Sequence, residues 1–101
     1  MVVYDIFGYF PQTLQGADIL STEINALVVM PDFFDGEPCD INISPANTEE
    51  KKAQLSTFIT TKGNLAIAKE NIVKSLEALK EELPKVDKWA VIGYCWGGKV
   101  R

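Results

Sequence analysis

The stretch Ala26-Leu27-Val28-Val29-Met30 is apolar at every position and is stopped at once by Pro31-Asp32. A strand with one wet face alternates apolar and polar residues, whereas a strand covered on both faces is apolar throughout. Five residues are also too few for a buried helix, so this segment is expected to be a strand of a parallel sheet. Two similar runs lie far from it in the chain. Val2-Val3-Tyr4 predicts a strand over about residues 1–5 that closes at Asp5-Ile6-Phe7-Gly8, and Trp89-Ala90-Val91-Ile92 predicts a third just before a glycine-rich turn.

Between these runs the apolar period lengthens to that of a helix. Pro11 suits a first helical position, and Leu14, Ala17, Leu20 or Ser21, and Ile24 follow at three- and four-residue steps, which predicts a helix over about 11–24. Residues 31–47 hold three of the five prolines and are expected to form a long loop. Asn47-Thr48-Glu49-Glu50 resembles a capping box and opens a helix of about 48–62 with Leu55, Phe58 and Ile59 on its apolar side. After Gly63-Asn64, the residues Leu65, Ala68, Ile72, Leu76, Leu79 and Leu83 define a further helix that Pro84 ends. Strand, helix, strand, helices, strand is the alternation of an α/β fold, here three parallel strands with flanking helices. Such a sheet has two unpaired edges, which favour self-association. The chain starts inside a strand, and Arg101 lies a few residues into what should be a helix. Residues 1–101 are therefore expected to be a single incomplete domain.

Charge and composition remove several classes of function. Fourteen acidic residues against ten basic ones, interleaved rather than clustered, give a net charge of −4 and no basic face for nucleic acid. There is no long apolar run for a membrane span and no basic n-region for a signal peptide, so a cytoplasmic protein is expected. Cys39 and Cys95 are far apart, form no C-x-x-C pair and have no histidine to join them, so neither a metal site nor a disulfide is expected, and no cofactor is implied. The chain contains no histidine at all. Histidine is the usual base beside a serine or cysteine nucleophile, so a hydrolase built on these residues must draw its base from elsewhere.

Gly93-Tyr94-Cys95-Trp96-Gly97 has the form G-x-C-x-G between a strand and a presumed helix, the nucleophile-elbow pattern with cysteine in place of serine. Side chains two residues to either side of the nucleophile would strike the strand and the helix, which is why Gly93 and Gly97 are needed. The positive end of the following helix favours a thiolate at Cys95. An oxyanion hole would use the backbone N–H of Trp96 and one from the loop after the first strand, where Ile6 lies. Two other patterns overlap these residues. Cys95 to Arg101 fits C-x-x-G-x-x-R, the loop of cysteine-dependent phosphatases, with Asp32 as an imaginable general acid. Gly93 to Lys99 fits G-x-x-x-x-G-K, although Val100 stands where a nucleotide-binding loop needs Ser or Thr. Plainer readings exist for each residue: Cys95 as a small buried hydrophobe, Asp5 as an acceptor for loop amides, Asp32 and Asp35 as turn formers, and Cys39 as an ordinary thiol. A noncatalytic truncated product is the remaining alternative.

Three segments together carry a family resemblance: Val3-Tyr4-Asp5-Ile6-Phe7-Gly8; Met30-Pro31-Asp32-Phe33-Phe34 with Gly36 and Pro38; and Val91-Ile92-Gly93-Tyr94-Cys95-Trp96-Gly97-Gly98-Lys99. In this order and spacing they resemble the dienelactone hydrolase family, and the wording Gly-Tyr-Cys-Trp-Gly-Gly-Lys is more like its fungal members. The resemblance implies an α/β-hydrolase fold and cleavage of a small-molecule ester or lactone by a Cys-Asp-His triad. It sets Cys95 on the nucleophile and the Ile6 and Trp96 amides on the oxyanion hole. Asp5 falls where bacterial members carry a glutamate that interacts with the resting cysteine, one methylene shorter here. The arginines that hold the bacterial substrate's carboxylate have no clear counterpart, and the family's aspartate and histidine follow the nucleophile. The resemblance thus implies that this stretch alone turns over little.

Overall fold

The computed structural model describes residues 1–100. Its sheet is smaller than the sequence predicts. Val2–Val3 (β1) pairs in parallel with Ile92–Gly93 (β2), Val2 opposite Ile92 and Val3 opposite Gly93, and these two-residue strands are the sheet among the described residues. The run Ala26–Met30 is not a third strand. It lies along the other side of β1, but its link is one bond, from the Val2 N–H to the Val29 carbonyl at 2.8 Å. Pro31 has no N–H to extend the ladder, and Ala26 and Leu27 are exposed rather than covered on both faces. The apolar composition predicted a paired strand where the structure has a single hydrogen bond to β1. It overstated the pairing.

On the β2 side the pairing continues outside the strands. The Met1 amine donates to the Ala90 carbonyl at 2.7 Å, and the Ile92 and Tyr94 amides donate to the Met1 and Val3 carbonyls at 3.0 and 3.1 Å. β1, first in the chain, is thus central, with residues 26–30 on one side and 90–94 on the other.

Four α-helices and a short 3-10 helix at Ile41–Ile43 complete the described structure. Pro11–Ile24 (α1) begins with proline at its first turn and ends at Asn25, whose left-handed backbone (φ 50°) closes the helix. Its length is as predicted, but none of its residues is buried, and Leu14 and Ile24 are exposed. Glu49–Thr60 (α2) is capped by Thr48, which accepts from the Lys51 N–H. Lysine occupies the position where a capping box has its glutamate, so only half of that motif exists. Leu65–Glu82 (α3) is capped by Asn64, whose Oδ1 accepts from the Ala66 and Ile67 amides at 3.0 and 3.3 Å. It buries Ala68 and Ile72 and half-buries Leu76 and Leu79, while Leu65, expected on the same face, is exposed. Trp96–Val100 (α4) follows β2 after a two-residue turn.

The core gathers Met1, Val3, Tyr4, Phe34, Ala68, Ile72, Trp96 and Val100. Aromatic rings dominate its centre, Phe34 lying 5.3 Å from Tyr4 and 4.8 Å from Trp96 between centroids. This cluster binds the loop after residue 30, α3 and α4 to the sheet. Among the described residues no helix is long and apolar enough to cross a membrane.

Candidate active site

A strand that must turn within two residues into a helix forces an unusual backbone at the turn, and here that residue is Cys95, with φ 52°. The other described non-glycine residues with positive φ are Asn25 and Asp35, side-chain types that tolerate this region. Cysteine has no such excuse, and strain of this kind gathers at functional sites. The Gly97 N–H closes the turn on the Tyr94 carbonyl at 2.9 Å, and the Lys99 N–H reaches the Cys95 carbonyl at 3.2 Å. Cys95 is left exposed at the carboxyl end of β2.

The flanking glycines are fixed by backbone, not by preference. A Cβ on Gly93 would fall on the Gly97 carbonyl and lie 2.6 Å from the Gly98 nitrogen. One on Gly97 would overlap the Val3 carbonyl oxygen and lie 2.7 Å from that of Tyr4. The start of α4 is therefore seated directly on β1 and β2, at a distance only glycine permits.

Trp96 is anchored through its side chain and open at its backbone N–H. Its indole is buried and donates through Nε1 to the Gly63 carbonyl at 2.8 Å, locking the elbow to the α2–α3 connection. Its backbone N–H, like that of Ile6, has no hydrogen-bond acceptor among the described residues. The Ile6 loop is itself held in place, because the Ile6 carbonyl accepts from the Cys39 amide at 2.8 Å and the Asp5 carboxylate accepts from the Phe7 amide at 2.9 Å. Extending the β1–β2 register by two residues sets Asp5 level with Cys95, but no hydrogen bond joins their side chains. The structure thus brings together Gly93, Cys95, Trp96 and Gly97 as one turn, with Asp5 and Ile6 in the segment that follows β1.

The two thiols differ in character. Cys39 is buried, and burial followed by the nearby Asp40 charge pushes its thiol above the ordinary range, which makes it a poor nucleophile. A wide groove of about 530 Å³ between residues 37–43 and α2 includes Cys39 but not Cys95. Asp32, the imagined phosphatase acid, accepts from the Tyr4 hydroxyl at 2.8 Å. Residues 96–100 are helical rather than a loop wrapped around an anion, which argues against both phosphate-binding patterns, and Arg101 lies outside the described residues.

Sequence reasoning missed Tyr4. Its buried hydroxyl donates to Asp32 and accepts from the Phe33 and Phe34 amides at 2.5 and 3.1 Å, so one side chain fixes the loop after Met30 beneath the site. Burial, and then the Asp32 carboxylate, raise its phenol well above the usual tyrosine range. The signal was present: a tyrosine inside an apolar strand must find a partner for its hydroxyl.

The dienelactone hydrolase family profile matches residues 1–101. The chain belongs to the dienelactone hydrolase family. The family's fold is the α/β-hydrolase fold, and its members are hydrolases. A carboxymethylenebutenolidase homolog of Xenopus tropicalis is 35% identical over 99% of this chain and 37% of its own length. Two uncharacterized AIM2 family proteins of Schizosaccharomyces pombe are 30% and 31% identical, each over 95% of this chain and 38% of their own length. The chain therefore spans less than two fifths of these relatives. No solved structure matches it significantly.

Proposed function

We propose that Cys95 is the nucleophile of an ester or lactone hydrolase. The thiolate attacks the carbonyl carbon, a C–S bond forms, and the negative charge on oxygen is received by the Ile6 and Trp96 amides. Collapse breaks the C–O bond, the alkoxide leaves and takes up a proton, and water hydrolyses the thioester. The base for that second half lies outside these 101 residues, which contain no histidine, so the stretch alone acylates but does not turn over. What supports the reading most is the positive φ of Cys95 between two glycines that admit no side chain.

The test uses p-nitrophenyl acetate and peptide mapping. One equivalent of p-nitrophenolate per chain, with the acetyl group on Cys95 and nothing on Cys95→Ala, is the expected result. Equal acetylation of Cys39, or unchanged release by Cys95→Ala, would overturn the assignment. Sustained turnover by the 101 residues would overturn the placement of the base.

A further inference from the structure

Gly63, whose carbonyl holds the Trp96 indole, is preceded by Lys62, and Lys62 reaches toward the Ile6 side of the site. The Lys62 ammonium pairs with the Glu37 carboxylate and also donates to the Glu37 backbone carbonyl at 3.4 Å, so it grips both the side chain and the main chain of that residue. Two positions on, the buried Cys39 donates its N–H to the Ile6 carbonyl at 2.8 Å. Between them Pro38 packs on Gly8, where an added Cβ would stand 3.0 Å from the proline Cβ. The segment 37–39 is thus a strap, fastened to the Ile6 turn at one end and to Lys62 at the other. The α2–α3 connection is firm enough to anchor it. Gly63 is buried, its N–H donates to the Phe58 carbonyl at 2.8 Å, and a Cβ there would lie 3.2 Å from the Ile59 Cα.

We propose that Lys62 and Gly63 are positioning residues that hold the two amides of the oxyanion hole in fixed relation, Gly63 through the Trp96 indole and Lys62 through Glu37 and the strap that bonds Ile6. This rests on the assignment of Cys95 as nucleophile and of the Ile6 and Trp96 amides as the oxyanion donors. Two donors stabilise one oxygen only if both are aimed at the same place before charge develops there. These two come from opposite ends of the chain, and a misplacement of about 1 Å can cost roughly 100-fold in rate. Adjacent residues of one tight connection give both donors a common anchor. The Lys62–Glu37 pair is exposed, so its loss loosens the strap rather than freeing it, and a smaller effect of roughly three- to tenfold is expected.

The experiment compares two reactions of the same thiol, both located on Cys95 by peptide mapping. Acylation by p-nitrophenyl acetate passes through an oxyanion. In alkylation the thiolate displaces iodide from the methylene carbon of iodoacetamide, and no negative oxygen forms. Both need the thiolate, so the ratio of acylation to alkylation isolates the oxyanion hole from the state and access of the sulfur. Lys62→Ala is expected to lower that ratio about three- to tenfold with alkylation unchanged, and Lys62→Arg, which keeps a charged donor, to restore most of it. Trp96→Phe keeps its backbone N–H but removes the indole donor to Gly63, and it should lower the ratio as well. Should that variant fold poorly, the exposed Lys62 pair of variants still decides the question. An unchanged ratio in Lys62→Ala, an equal fall in both reactions, or a loss that Lys62→Arg does not restore would overturn the proposal. Failure of p-nitrophenyl acetate to acylate Cys95 in the unaltered chain, or the same ratio in native and urea-unfolded chain, would instead overturn the nucleophile or oxyanion assignment itself, and the proposal with it.

Discussion

Gly16 and Gly97 both lie in helices, and the same substitution at each should move stability in opposite directions. At Gly16 a methyl group meets nothing within 4 Å, so Gly16→Ala should gain about 0.5–1 kcal/mol from helix propensity alone. At Gly97 the same gain is available in principle. There, however, the new Cβ overlaps the Val3 carbonyl oxygen and lies 2.7 Å from the Tyr4 oxygen and 2.8 Å from the Val3 carbonyl carbon. All three are backbone atoms of the central strand and its extension, which cannot rotate away as a side chain would. Overpacking costs about 1–3 kcal/mol where neighbours can adjust, so a backbone clash belongs at the upper end, leaving a net loss of about 2 kcal/mol. Urea unfolding followed by the fluorescence of buried Trp96 reads both variants. With a slope near 1–2 kcal/mol per molar, the Gly97→Ala midpoint should fall by about 1–2 M while that of Gly16→Ala rises. A Gly97→Ala midpoint equal to or above the unaltered chain's would refute the claim that α4 is seated on the sheet at glycine-only distance.

Tyr4→Phe should cost about 1–3 kcal/mol at neutral pH, because it strips the Asp32 carboxylate of a donor and two loop amides of an acceptor. The folded state holds the Tyr4 proton more tightly than the unfolded chain, so the stability it contributes is complete below the unfolded tyrosine pKa of about 10 and is lost as pH rises beyond it. Tyr9, raised chiefly by burial, acts with the same sign. Urea midpoints measured on both sides of that pH should therefore fall with alkali, and fall less in Tyr4→Phe. The two helix caps should separate by consequence: Asn64→Ala, at the head of the helix that buries Ala68 and Ile72, should lower global stability by about 1 kcal/mol. Thr48→Ala, heading a helix with no fully buried residue, should register mainly as faster amide exchange in its first turn.

The helices were legible because their signals are local. Pro11 and Pro84 sit at the ends of α1 and just beyond α3, and the three-and-four spacing from Ala68 to Leu79 is the face that meets the core. The elbow was legible for a related reason, since G-x-C-x-G states a steric requirement over five residues that the backbone then shows at Gly93 and Gly97. The sheet was overread because strand pairing is not local. Ala26–Met30 has the composition of a central strand, but a ladder also needs a partner in register, and only Val29 bonds to β1. The apolar face of α1 was legible as a pattern, whereas its burial depends on what covers it. Tyr4 and the Trp96 indole escaped notice because their partners, Asp32 and Gly63, are 28 and 33 positions away.

The parallel pairing of Val2 with Ile92 and Val3 with Gly93 also sets the order in which the molecule can assemble. Contacts this distant in sequence close a loop of nearly the whole described chain, and topologies dominated by such contacts fold slowly. On a ribosome adding about 5–20 residues per second, the first strand waits several seconds for its partner. Helices α1 to α3 can form during that interval, but the cysteine turn cannot, since its geometry exists only where β2 meets both β1 and α4. The Cys95 thiol is thus unstrained in the nascent chain and acquires its exposed, left-handed conformation only once β2 has been made.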